Sequence, residues 1–307
     1  MQNSKPAISF IIQCGLDTQI TSNFLNSLML TQPLDKIELF FVCRDIQYFR
    51  ELKIPGVQNI QFYFTNREHE PEEALALAVE NSEAEYIFYL EDHILFENDV
   101  VSPVLELFKK NIYSIISPTI QHANPKTKVS RLAYIVEYSD WNAIREEGEV
   151  NSFISAKNIA YRKSILIDLG KDLPLYLRNQ TYLQMQLLKQ GHKYFFSRLA
   201  VIRHIHSNSF GRVLTINFWH GWDTADAKQK IEKWNVVKRV FMALAIQAKP
   251  FVRFFLNYKN NLIIAKQTKV ATFEYFFGGL MIYYAGSIGE ACGYLLGKMN
   301  SSQKNIH

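Results

Sequence analysis

The chain has 307 residues, 48% hydrophobic and 21% charged, with 34 Lys or Arg against 29 Asp or Glu and a formal net charge of +5. This is the balance of a folded globular protein and excludes a disordered or low-complexity chain; the length suits one large domain or a domain with an appendage. Three widely spaced cysteines, Cys14, Cys43 and Cys292, exclude a disulfide framework and a zinc-ligand spacing, and they fit a reducing compartment.

The first apolar stretch, Ala7–Ile12, is broken by Ser9 and is too short for a signal-peptide core or a membrane span, so a cytoplasmic location is expected. Ile8–Cys14 reads as a strand and Thr18–Thr31 as a helix, with Ile20, Phe24, Leu28 and Leu30 apolar at helical spacing. Ile37–Cys43 and Asn59–Thr65 read as the next strands. Pro71–Asn81 reads as a helix, because proline opens it and Glu72 and Glu73 fill its first turn. A strand from Tyr86, a helix over Asp99–Lys110 and a strand at Tyr113–Ser117 continue the alternation. The rhythm predicts an α/β fold with a mainly parallel, doubly wound sheet.

The sequence Tyr86–Asp99, YIFYLEDHILFEND, is where chemistry first shows. An apolar strand stops at Glu91, Asp92 and His93, and open α/β sheets place their ligands at the carboxyl ends of their strands. Carboxylates suit Mg²⁺ or Mn²⁺, and imidazole suits borderline transition metals. A polar loop that simply starts the next helix is the alternative. Downstream, the apolar strand Leu199–Ile202 runs into Arg203, His204 and His206, which are further ligand candidates or polar strand-end residues. NFWHGWDTAD (Asn217–Asp226) is rich in aromatic side chains, and Trp219 and Trp222 either line an acceptor pocket or pack.

Charge is divided unevenly. From Lys228 onward there are 12 Lys or Arg against 3 acidic residues, whereas the preceding residues hold 22 basic against 26 acidic ones. Two modules are expected, residues 1–225 and 226–307. Val236–Lys266 mixes Phe, Leu and Ile with Lys238, Arg239, Lys249, Arg253 and Lys259 and is broken at Pro250, the pattern of basic amphipathic helices at an anionic membrane surface. Tyr275–Gly289 is an uncharged run of 15 residues, short of a full span, and reads as a re-entrant, interfacial or buried hairpin or, against Glu290, as a spanning helix. Gly289, Gly293 and Gly297 recur every four residues and permit close helix packing. No nucleic-acid module is recognisable.

Taken in order, AISFIIQC, IELFFVCRD, YIFYLEDH, SAKNIAYRKSILIDLG (Ser155–Gly170) and LQMQLLKQGHKYFFSRLAVIRHIH resemble the GT-A-type glycosyltransferases of family 2, over roughly Pro6–Trp222. A subset of that superfamily with LEDH-type motifs also has a stretch similar to VEYSDW (Val136–Trp141). The resemblance implies a Rossmann-like GT-A domain, to which the basic tail adds a C-terminal helical, membrane-associating extension. It implies transfer of a sugar from a nucleotide-diphospho-sugar to a glycan or lipid-linked acceptor, with inversion, at the inner face of a bacterial membrane. It places Asp45 at the nucleoside and Glu91, Asp92, His93, Arg162 and Arg203 at the donor. Asn158, Tyr161, Trp219 and Trp222 fall on the acceptor side. Asp92, His93, His204 and His206 become the metal set, with Mn²⁺ or Mg²⁺ as the cofactor. His93 stands where the family carries an acid. The family's acidic pair, one member of which is the catalytic base, falls on Asn179 and Gln180, and neither amide accepts a proton at neutral pH. Asp172, Glu137 and Asp140 are the substitute candidates, and a non-catalytic GT-A protein that binds or scaffolds is the alternative reading.

Overall fold

The computed structural model describes residues 5–15, 17–44, 54–57, 59–65, 70–138, 145–151 and 157–297. Asp45, Asp140 and Trp141 lie outside the described residues. Two compact units emerge: one holds the chain up to Gln121 and Ala143–His204, the other His122–Asn142 and Ile205–Ile306.

The first unit is built on strands β1 (Ile8–Gln13), β2 (Ile37–Cys43), β3 (Ile60–Phe64), β4 (Tyr86–Glu91) and β5 (Ile94–Phe96), with helices α1 (Thr18–Thr31), α2 (Pro71–Asn81) and α3 (Val101–Lys109) between them. β6 (Ile115–His122) leads to α4 (Lys128–Tyr138) of the second unit, and the chain returns through β7 (Gly148–Val150), β8 (Ile159–Arg162), α5 (Lys163–Ile167), α6 (Leu173–Arg178), α7 (Gln180–Lys189) and β9 (Tyr194–His204).

The sheet order is β3-β2-β1-β4-β8-β6-β9-β5, with β7 also on β9. β3, β2, β1 and β4 run parallel, and this half is the doubly wound sheet that the alternation predicted. The other half is antiparallel where β8 meets β4 and β6 and where β9 meets β5 and β7. β8 has only four residues, too few for a readable period. Pro118 sits within β6, yet β6 pairs with β8 only at Ile115 and Ile116, so the missing amide proton breaks no bond of that ladder.

Continuous apolar runs form β1, β2 and β4 because most of their side chains are buried. Phe10, Phe24, Phe41, Phe88, Phe96 and Phe108 fill one core with Ile12, Leu28 and Leu39. Phe10 meets Phe88 edge to face at 5.4 Å. Each such buried side chain contributes about 1.5–3 kcal/mol. α1 is started by Asp17, whose side chain accepts from the amides of Gln19 and Ile20. Glu70 and Glu73 close a capping box at α2, with Pro71 at its first position.

The second unit carries α4, α8 (Phe210–Ile231), α9 (Val236–Ala245), α10 (Lys249–Gln267), α11 (Thr272–Glu274) and α12 (Leu280–Leu296), the last two joined by a π turn at Tyr275–Gly279. The expected module boundary after residue 225 falls inside α8, so this unit starts earlier, at Ile205, and includes α4. α8 and α12 touch backbone to backbone. A Cβ on Gly289 would stand 1.8 Å from the Phe218 carbonyl oxygen, and one on Gly221 would stand 1.9 Å from that of Gly286. Gly293 faces the Trp222 backbone in the same way, whereas Gly297, at φ +74°, ends α12. The uncharged run Tyr275–Gly289 is packed along one face: Tyr275, Gly279, Ile282, Tyr283, Ser287 and Gly289 are buried, whereas Phe276, Phe277, Met281 and Ile288 are exposed. Among the described residues, the one segment long and apolar enough to cross a membrane is instead Val236–Gln267.

Candidate functional site

β4 is bracketed by β1 and β8, which delivers its last residues to the carboxyl end of the parallel half. Glu91 pairs in register with Gln13 of β1, and the next amide, that of Asp92, donates to the Gln13 carbonyl at 3.2 Å. The Glu91 amide donates to Asn158 Oδ1 at 3.0 Å. Asn158 is fully buried and sits at φ +60°, a left-handed conformation that asparagine tolerates better than most residues. It thus ties the start of β8 to the end of β4. Its Nδ2 is buried with no hydrogen-bond partner among the described residues.

β9 brings the other side. Its pairing with β5 sets His204 opposite Ile94, two residues past Asp92, so the imidazole reaches back to the strand end. Glu91 Oε2 lies 3.4 Å from His93 Nε2 and 3.4 Å from His204 Nε2, and the two rings meet edge to face at 4.6 Å. Lys157 Nζ donates to Glu91 Oε1 in a short ion pair. Glu91 and His204 are each only 5% exposed, while the His93 side chain is one third exposed. Burial pushes the Glu91 carboxyl up, but the positive groups His93, Lys157 and His204 together hold it well below the usual carboxylate range. Burial pulls the His93 imidazole down, and Glu91 and Asp92 overcome this and raise it.

Ligand atoms of Glu91, His93 and His204 all lie within 4.8 Å of one another. A separation near 3.4 Å is what two ligands of one ion adopt at about 2.1 Å from it, so the donor set fits a divalent metal. Two imidazoles and one carboxylate favour Mn²⁺ or another borderline transition metal over Mg²⁺.

Several expected site residues stand elsewhere. Asp92 stands beside the ligand group: its Oδ2 accepts from the Gly15 amide at 2.9 Å and from the Thr21 hydroxyl at 2.7 Å, and its Oδ1 lies 3.5 Å from His93 Nδ1. Glu91 belongs to the group that could hold a metal. Arg162 pairs in register with Tyr86, at the opposite end of β4 from Glu91. Its guanidinium donates to Glu85, the Tyr113 carbonyl and Asn111, each at 3.0 Å. Arg203 alternates away from His204 along β9 and pairs with Glu97 at 2.9 Å. His206 belongs to the second unit, where its Nδ1 lies 3.3 Å from Glu137 Oε2. Glu137 also accepts from Asn217 Nδ2 at 3.4 Å. Asp172 is exposed just before α6.

On the acceptor side, Tyr161 is a core strut, 1% exposed, whose hydroxyl accepts from Gln184 Nε2 at 3.3 Å. Trp222 is buried in the second unit, and its indole donates to the Gly297 carbonyl at 2.7 Å; its ring lies 5.6 Å from that of Trp219. Where the family keeps its acidic pair, Asn179 caps α7 by accepting from the Tyr182 amide, and Gln180 is buried. Lys157, Gly15 and Thr21 escaped sequence reasoning. Lys157 lies within the SAKN stretch, but nothing local marks it as the partner of an acid 66 positions away.

Residues 46–170 match the sequence model of glycosyl transferase family 2. That segment contains Glu91, Asp92, His93, Lys157 and Asn158. The match supports glycosyltransferase activity in general terms, and the large α/β sheet agrees with the GT-A architecture. No curated protein matches the chain.

Proposed function

We propose that the protein transfers a sugar, with inversion, from a nucleotide-diphospho-sugar to a glycan or lipid-linked acceptor in bacterial envelope polysaccharide synthesis, at the cytoplasmic face of the cell membrane. The observation that carries this reading is the Glu91–His93–His204 group at the carboxyl end of β4, beside β1, with two of its three members inside the family-2 match. Glu91, His93 and His204 would hold a divalent ion, Mn²⁺ in preference to Mg²⁺. Such an ion, when bound, offsets the negative charge that develops on a diphosphate leaving group. Lys157 adds a positive charge at the same carboxylate and is open enough, with a quarter of its side chain exposed, to meet a phosphate. Asn158 holds the strand end that bears the group, and Asp92 keeps the β1–α1 connection against it. Asp45 takes the nucleoside in this reading.

The experiment is a thermal-shift screen of nucleoside diphosphates and nucleotide sugars with Mn²⁺ and Mg²⁺, alongside donor hydrolysis by the purified chain. Stabilisation that needs Mn²⁺ and disappears in Glu91→Gln is expected. If no nucleotide stabilises the protein with either ion, the proposal is wrong. Asn179 and Gln180, which cap and pack instead of supplying an acid, favour the second reading of a non-catalytic GT-A binder. Binding without any donor turnover would select it.

A further inference from the structure

In a water-soluble helical unit, amphipathic helices turn their apolar stripes inward. In α9 the reverse holds. Val236, Val240 and Leu244 recur every four residues, Val237 and Phe241 stand beside them, and all five are exposed, Val237 by 77% and Leu244 by 72%. α10 repeats the arrangement with Phe251 and Phe255 flanked by Val252 and Leu256, the last of these 78% exposed. The polar economy of the segment is equally one-sided. From Lys233 to Phe273 there are eight Lys or Arg and no Asp or Glu. Lys259, Lys266 and Lys269 are exposed on or just after α10.

We propose that α9 and α10 lie in the plane of an anionic lipid leaflet, with the two apolar stripes inserted among the acyl chains and the lysines at the headgroups. The proposal deepens the transferase reading, on which the choice of a cytoplasmic leaflet rests. Charge decides between the candidate occupants. Lys238 and Lys249 are paired with Glu232 and Glu290, but a second copy docked face to face would still bring two surfaces of net positive charge together, whereas anionic headgroups neutralise them. Charge also decides the orientation. The longest uncharged run in the segment is the nine residues between Arg239 and Lys249, so a crossing helix of the length that Val236–Gln267 offers would carry charge into the hydrocarbon. The length of Val236–Gln267 is therefore length along the surface. Large apolar side chains flanked by basic ones are the pattern of monotopic interfacial helices.

The test is flotation of the full chain with vesicles of phosphatidylglycerol and phosphatidylcholine, and with phosphatidylcholine alone. The protein is expected to float only with the anionic vesicles and to be released by high salt. The double variant Phe241→Ser, Leu256→Ser is expected to lower the bound fraction at least about tenfold. Both side chains are exposed, so its circular dichroism and its nucleotide-dependent thermal shift should match the parent. Orientation is read with a thiol reagent that does not cross bilayers. Lys233→Cys and Lys269→Cys should both be labelled from outside the vesicle, above the background of the native cysteines. A parent protein that stays unbound by anionic vesicles overturns the proposal. So does a double variant that only disperses an oligomer, which would identify a second copy as the occupant. Protection of one of the two introduced cysteines would replace the in-plane arrangement by a crossing one. If flotation holds while nucleotides fail to stabilise the protein, the transferase reading falls and the membrane surface stands.

Discussion

Glu91 at the end of β4 and Glu290 in the middle of α12 are both nearly inaccessible, at 5% and 4% exposure, and each carries a lysine in a short ion pair, Lys157 and Lys249 respectively. Their remaining partners differ. Glu290 accepts from the Tyr294 hydroxyl at 2.9 Å and, among the described residues, pairs with no basic group besides Lys249. Glu91 has two imidazoles on its second oxygen. A buried acid–lysine pair, then, can be simply a way to hold two helices together. It is the surplus of nitrogen donors, more than one carboxylate needs for neutrality, that marks chemistry.

The harshest test of that contrast is Gly289→Ala beside Glu290. Its methyl would meet the Phe218 carbonyl, α8 and α12 would have to part, and a loss of about 4 kcal/mol is expected in urea unfolding. Glu290→Gln strands Lys249, which is 43% exposed, so a milder loss of about 1–2 kcal/mol is expected, with manganese binding unchanged. If manganese binding fell as well, the two glutamates would not differ in kind. Lys157→Gln tests the other member. The ammonium already neutralises Glu91 and repels an incoming divalent ion, a larger effect than the ten- to hundredfold that an orienting hydrogen bond usually returns. Manganese affinity, followed by electron paramagnetic resonance, is expected to rise about tenfold, or about 1.4 kcal/mol. A fall would mean that Lys157 orients Glu91 and does not compete with the ion.

His122 supplies the smallest effect and a useful contrast, because it has no acid or lysine beside its ring. Tyr134 stacks on it at 5.1 Å, both ring nitrogens are buried without partners among the described residues, and burial, then His206 and Arg131, push it down to about 3. The folded state therefore keeps His122 neutral where the unfolded chain protonates it, so stability present above about pH 6.5 is lost as pH falls. A loss of about 1 kcal/mol between pH 6.5 and 5.5 is expected, measured against His122→Phe, in which this component should vanish.

Much of the first unit is legible in the sequence because its strands are long apolar runs and its helices carry caps. Ile8–Gln13, Ile37–Cys43 and Pro71–Asn81 fall within a residue of the reading. β7 and β8 are too short to show a period, and the antiparallel half of the sheet went unseen with them. At the site, the strand end at Glu91–His93 is visible, as is a histidine closing the other strand. The roles are not, because they depend on register. The β5–β9 pairing selects His204 over His206, and the approach of α1 engages Asp92, whereas Glu91 belongs to the ligand group. In the tail, amphipathic helices are readable, but a period cannot say whether a stripe faces inward or outward. It also cannot say that the apolar run of α12 is packed on α8.

The bond from the Gly15 amide to Asp92 Oδ2 has one more use. Asp92 adjoins His93, so a ligand that shifts the strand end also lengthens or shortens this single contact. The Gly15 amide proton is thus a native spectroscopic probe. Its nuclear magnetic resonance shift and its exchange with deuterium should follow site occupancy residue by residue, without a label and without turnover.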